Sequence, residues 1–148
     1  MNKVFKYKSI LSFRYISLFL LVFISFAGCK KDKNEIPDVY VDIYVYVTDP
    51  AFSPLNAISG HQYFAGGSQG VVVFRKSQNE FMAYDRHCTF NVSEGNAVIV
   101  DASGLLMTDS KCSSKFLTTD GSPNQGPAIN PLKRYQTAFD GTVLHIYN

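Results

Sequence analysis

Nine consecutive residues, Val39-Tyr-Val-Asp-Ile-Tyr-Val-Tyr-Val47, carry an aliphatic side chain at every odd position and Tyr or Asp at every even one. Strict period two over that length fits a β-strand with one aliphatic face and one tyrosine-bearing face. Asp49-Pro50 stops the strand, and residues 51–60 read as loop, with turn signals at Ser53-Pro54 and Ser59-Gly60. A short strand is expected over 61–64, ending in Gly66-Gly67. A stronger one covers 70–75, turns through 76–79 and returns over 80–84 as a hairpin. Further strands are expected at 96–100, 104–107 and 115–118, followed by a long loop from 121 to 131. The chain closes with 134–139, the turn Asp140-Gly141 and 142–147; an Asp-Gly pair between alternating runs is a strong hairpin signal. No window repeats apolar residues at i, i+3, i+4 and i+7 over three turns. Roughly eight or nine short strands divided by turn residues predict an all-β fold, a small antiparallel sandwich or barrel. The 148-residue chain has room for one such domain.

The first 28 residues read as an address rather than as fold. Lys3, Lys6, Lys8 and Arg14 precede the apolar run Ile16-Ser-Leu-Phe-Leu-Leu-Val-Phe-Ile-Ser-Phe-Ala27, and then come Gly28 and Cys29. About twelve apolar residues are too few for a spanning helix, which needs roughly twenty, and suit a signal-peptide core. Small residues before a cysteine, with Lys30-Lys-Asp-Lys-Asn34 straight after, resemble a bacterial lipobox, although Phe26 stands where lipoboxes generally carry Leu. The resemblance implies that 1–28 is a lipoprotein signal peptide and that Cys29 is lipidated. Residues 29–37 then form a short tether, and 38–148 form the domain. Several acyl chains on one cysteine anchor stably, since each buried CH₂ contributes about 0.8 kcal/mol. The expected location is the bacterial cell envelope, with the membrane as one partner and an envelope protein as another. Two thiols in that compartment can be oxidised.

The formal charge of +2 comes from the leader. All twelve acids lie after position 30, against ten basic residues, so the remainder carries 10 − 12 = −2. A mildly acidic body with scattered lysines and arginines gives no electrostatic footprint for nucleic acid. Twelve Phe and nine Tyr without Trp, together with many Val and Ile, favour strands.

Few residues could carry chemistry. Of three histidines, His145 sits in a strand and His61 beside a loop without partner spacing, which leaves His87 next to Cys88. Adjacent residues on an extended segment point to opposite sides, so both reach one centre only if the loop bends. There is no Cys-x-x-Cys, His-x-x-x-His or Gly-x-Ser-x-Gly, and no Gly-rich phosphate loop, so no metal site and no catalytic residues are assigned on spacing. Asp85, Asp101 and Asp109 fall at turn positions, where carboxylates commonly cap backbone. Nothing assembles a nucleophile, a base and oxyanion donors, so the chain is not expected to be an enzyme.

From Gly70 to Tyr147 the order of signals resembles a Rieske iron–sulfur domain. A strand leads to Tyr84-Asp-x-x-Cys88; two strands follow, then Cys112-Ser-Ser-Lys-Phe116, Thr119-Asp-Gly, Gly126-Pro-Ala, Pro131-Leu132 and a closing hairpin. The resemblance implies a Rieske-like sandwich or barrel with an inserted two-loop subdomain. Cys88 matches the cysteine of the first loop, whereas Phe90 stands where the family has its histidine. Ser114 and Phe116 match the second loop, which places Cys112 at the histidine position and Asp109 at the second cysteine. A Rieske centre needs two thiolates on one iron and two imidazoles on the other, and that set is absent. The resemblance therefore implies a binding or accessory module without a cofactor, in which Cys88 and Cys112 face each other across a vestigial cluster position as a disulfide. That bridge would close a loop of about 25 residues and contribute roughly 3–4 kcal/mol. The alternative is a 2Fe–2S electron-transfer protein with atypical ligation by Cys88, Cys112, His87 and Asp109.

Overall fold

The computed structural model describes residues 35–148. The expected signal peptide, Cys29 and the tether as far as residue 34 lie outside the described residues. The strands are β1 (Asp42–Tyr46), β2 (His61–Phe64), β3 (Val71–Arg75), β4 (Phe81–Asp85), β5 (Ile99–Val100), β6 (Leu106–Thr108), β7 (Lys115–Leu117), β8 (Pro123–Gln125), β9 (Arg134–Phe139) and β10 (Val143–Tyr147). Six of them form a sheet in the order β1-β10-β9-β4-β3-β2, and four form a second sheet in the order β5-β6-β7-β8. Every pairing is antiparallel. Among the described residues no helix is long and apolar enough to cross a membrane.

The alternation in β1 is used as its pattern predicts. Val41, Val45 and Val47 are buried, while Tyr40, Tyr44 and Tyr46 face outward. Ile43 and Val45 pair with Ile146 and Leu144 of β10. The ladder begins three residues later than the alternation, because the Val41 N–H is taken by the side chain of Asn148 at 2.8 Å. The expected loop 51–60 contains a short 3-10 helix, Pro50–Asn56, capped by Asp49, whose carboxylate accepts the Ala51 N–H at 2.8 Å. His145, in β10, is half-buried. It stacks on Tyr44 with 4.1 Å between ring centroids and donates to the Asp42 carboxylate at 2.7 Å.

One core gathers Val41, Val45, Leu55, Val71, Val73, Phe81, Ala83, Tyr135, Leu144 and Ile146. These come from β1 at one edge of the six-stranded sheet and from β3 near the other, so the sheet curls around them. Strands β3 and β4 are buried on both faces, which explains why they read as unbroken apolar runs. Their other side presents Val72, Met82 and Tyr84 to a second core completed by Val98, Met107, Phe116, Ala128 and Leu132. The second sheet lies wholly between β4 and β9 in the sequence. Strand β8 falls in the expected long loop: it is polar, begins with proline and pairs only with β7 at the sheet edge.

Tyr84 is fully buried, and its hydroxyl has no hydrogen-bond partner among the described residues. Burial pushes its pKa well above the ordinary tyrosine range. Gly121, at φ +75°, passes so close that a Cβ there would lie 2.7 Å from the Tyr84 ring. An unpaired buried hydroxyl carries an uncompensated desolvation cost of about 1–3 kcal/mol. Tyr84→Phe removes that cost without opening a cavity and should raise stability by about 1 kcal/mol, read as a higher urea midpoint at unchanged slope. A lower midpoint would reveal a partner for the hydroxyl.

Candidate functional site at the paired cysteine loops

Two segments form the site, one leading from the curled sheet into the small one and the other a turn within the small sheet. The first runs from the end of β4 through His87 and Cys88 to a single-turn 3-10 helix, Val92–Glu94. The second joins β6 to β7 through residues 109–114.

Asp85 fixes the first loop. Its carboxylate is fully buried and accepts from the N–H groups of Ser68 (2.6 Å), Gln69 (3.2 Å) and His87 (2.9 Å) and from the Tyr135 hydroxyl (2.8 Å). Gly67, at φ +61°, lets the backbone approach this group, since a Cβ there would sit 2.6 Å from the carboxylate. Asp85 thus caps backbone as its turn position suggests, but from inside the protein. Burial, and then the hydrogen bond to Asp85, push the Tyr135 hydroxyl above its ordinary range.

His87 is buried and turned away from the cysteines. Its Nε2 lies 2.8 Å from the Val92 carbonyl and its Nδ1 lies 2.8 Å from Ser68 Oγ. A carbonyl can only accept, so Nε2 donates to it, and Nδ1 is engaged by the serine hydroxyl. Both ring nitrogens are engaged. The alternative ligand set therefore loses His87: the loop stays extended, with His87 bridged to Ala97, and neighbouring side chains take opposite sides as the backbone requires.

The second loop is a tight turn closed by Ser113 N–H to Asp109 C=O and Asp109 N–H to Ser114 C=O, each 2.9 Å, with Ser113 in the left-handed region. Asp109 Oδ1 accepts from the N–H groups of Lys111 (2.7 Å) and Cys112 (3.4 Å), which leaves Oδ2 facing the sulfurs. Cys112 Sγ stands 3.2 Å from that oxygen and 3.0 Å from Ser114 Oγ. The cis peptide Gly126-Pro127 leads into Ala128, whose N–H donates to Ser114 Oγ at 3.0 Å. The resembling Gly-Pro-Ala segment therefore packs over the site.

Cys88, Asp109 and Cys112 are thereby brought together, with their ligating atoms all within 4.8 Å of one another. The expected disulfide is not formed. The cysteines are free, and their sulfurs lie 3.8 Å apart, against about 2.05 Å in a bonded pair. Burial, and then a hydrogen bond with Asp109, push the Cys88 thiol far above its ordinary range. Burial also works to raise Asp109, but hydrogen bonds from both cysteines and the Lys111 N–H outweigh it and hold the carboxyl low. The resulting state pairs an ionised Asp109 carboxylate with a protonated Cys88 thiol.

A 2Fe–2S cluster does not fit this donor set. A binuclear cluster takes four protein ligands, two on each iron. Three donors crowd one point here, the fourth candidate, His87, is engaged elsewhere, and Phe90 occupies the remaining position at the loop tip, 40% exposed. Ser68 and Asp85 hold the first loop in place; the sequence marks Asp85 only as a turn carboxylate and Ser68 not at all, because all their partners but the His87 N–H are 16 to 50 residues away.

Two loops meeting at one end of a small inserted sheet, beneath a Gly-Pro-Ala segment, match the arrangement implied by the sequence resemblance. The fold is Rieske-like. No protein-family model matches the chain. No curated protein matches it either. Among solved structures it is similar to the ferredoxin of carbazole 1,9a-dioxygenase from Nocardioides aromaticivorans IC177, at 19% identity and a TM-score of 0.45, over 58% of this chain and 82% of that one. It is also similar to a chain in a complex of reduced oxygenase and oxidised ferredoxin in carbazole 1,9a-dioxygenase, at 15% identity and a TM-score of 0.48, over 74% of this chain and 94% of that one.

Proposed function

We propose that this chain is a lipid-anchored protein of the bacterial envelope whose Rieske-like domain works as a binding or accessory module without a 2Fe–2S cluster. The observation that carries the reading is what the loop tips present. Phe90 (40% exposed), at the position where the resemblance expects the first-loop histidine, and Ile129 (85% exposed), beside the Gly-Pro-Ala segment, flank a cleft of about 340 Å³ lined by Thr89, Asn91 and Pro127. Apolar tips around a cleft suit contact with another protein. The anchor rests on the lipobox resemblance at Cys29.

The visible absorption spectrum of the freshly purified full-length chain, produced with iron supplied, tests the site. The expected result is a colourless protein, and brown colour with a paramagnetic resonance signal after dithionite would return the electron-transfer reading. Fractionation of cells producing Cys29→Ser tests the anchor separately: release into the soluble fraction is expected, and an unchanged membrane distribution would remove the anchor from the proposal.

A further inference from the structure

The three donors that fail as a cluster site have the dimensions of a different one. Zinc-type cations bind thiolate sulfur at about 2.3 Å in tetrahedral geometry, which sets two sulfurs on one ion about 3.8 Å apart. The Cys88 and Cys112 sulfurs are 3.8 Å apart. One such bond to sulfur and one of about 2.1 Å to a carboxylate oxygen set those atoms about 3.6 Å apart. Asp109 Oδ2 and Cys112 Sγ are 3.2 Å apart, within a few tenths of an ångström of that value, and all three ligating atoms lie within 4.8 Å of one another.

We propose that Cys88, Asp109 and Cys112 form a mononuclear site for a tetrahedral, borderline-soft divalent cation such as zinc, with a fourth position open to solvent. The surroundings hold each donor in place. Asp109 is oriented by two backbone N–H groups on its other oxygen. Cys112 Sγ receives the Ser114 N–H at 3.4 Å. Ser114 Oγ accepts from Ala128 and from the Cys112 thiol 3.0 Å away; with the sulfur a thiolate on the cation, the serine hydroxyl proton turns to it instead. Donors to a ligating sulfur of this kind are the outer shell that tunes thiolate metal sites. Cys88 and Asp109 are buried and Cys112 is half-buried, so the cation enters, and its fourth ligand is exchanged, past Cys112. On binding, both thiols release their protons to solvent; two thiolates, one carboxylate and a divalent ion leave one negative charge.

The test uses the full-length chain carrying Cys29→Ser, in detergent, so that Cys88 and Cys112 are the only thiols. The protein is reduced, stripped with a chelator and titrated anaerobically with Co²⁺, then with Zn²⁺. One equivalent of cobalt is expected to produce sulfur-to-cobalt charge-transfer bands in the near ultraviolet and intense tetrahedral bands in the visible, all displaced by one equivalent of zinc. Adding Cys112→Ser, at a half-buried position, should leave the melting temperature within a few degrees, cut the charge-transfer intensity by about half and weaken binding at least tenfold. Asp109→Asn should weaken binding while keeping the charge-transfer bands. No charge-transfer absorption at stoichiometric cobalt in the reduced protein would overturn the proposal, as would bands that survive Cys112→Ser undiminished. Neither result bears on membrane anchoring or on whether a cluster is bound, which the fractionation and the absorption spectrum test separately.

Discussion

Asp85→Asn should cost about 3 kcal/mol or more, lowering the melting temperature by on the order of 10 °C. The carboxylate is fully buried and takes four hydrogen bonds. The amide keeps the shape but supplies one acceptor oxygen and turns an NH₂ group toward N–H donors, leaving buried donors unpaired. The damage should also be local. With the Ser68 and His87 N–H groups released, amide exchange in 66–69 and 86–92 should accelerate more than in β1 and β10. A melting temperature within about 2 °C of the parent, corresponding to well under 1 kcal/mol, would mean that the network contributes little.

Phe116→Ala should cost about 3–5 kcal/mol, the range for truncating a large buried aromatic. Phe116 is fully buried in the second core against Val72, Met82, Tyr84 and Met107. It is also the β7 residue paired with both Met107 and Pro123, so it joins three of the four strands of the small sheet. The first core contains no residue of the small sheet. Amides of β5 to β8 should therefore lose protection before those of β1, β9 and β10. Uniform loss across both sheets would show that the two cores unfold as one unit.

The sequence pattern discloses the sheet but only part of the site. Period two in 39–47 gives the face of β1, and the apolar runs of 71–75 and 81–85 reflect a wall covered on both sides. Strand β8 is invisible because Pro123-Asn-Gln125 has neither alternation nor β-branched residues; its pairing comes from β7. In the site, the juxtaposition of Cys88 with Asp109 and Cys112 follows from the loop resemblance, and the structure places them within 4.8 Å. The direction of His87 does not follow: adjacency to Cys88 suggested a shared centre, whereas its two hydrogen bonds depend on Ser68 and on the Val92 carbonyl. The separation of the sulfurs is equally hidden, since it depends on how the 109–114 turn closes.

The two-faced wall of β3 and β4 divides the chain into a host and a cover. The first core draws nothing from residues 86–133, so the curled sheet completes its interior without them. What the inserted subdomain hides from water on that wall is Val72, Met82 and Tyr84. Exchange of the whole subdomain for another is then a problem of three positions: any graft that covers those side chains, or any shortening that makes them polar, leaves the host sheet its own folding unit.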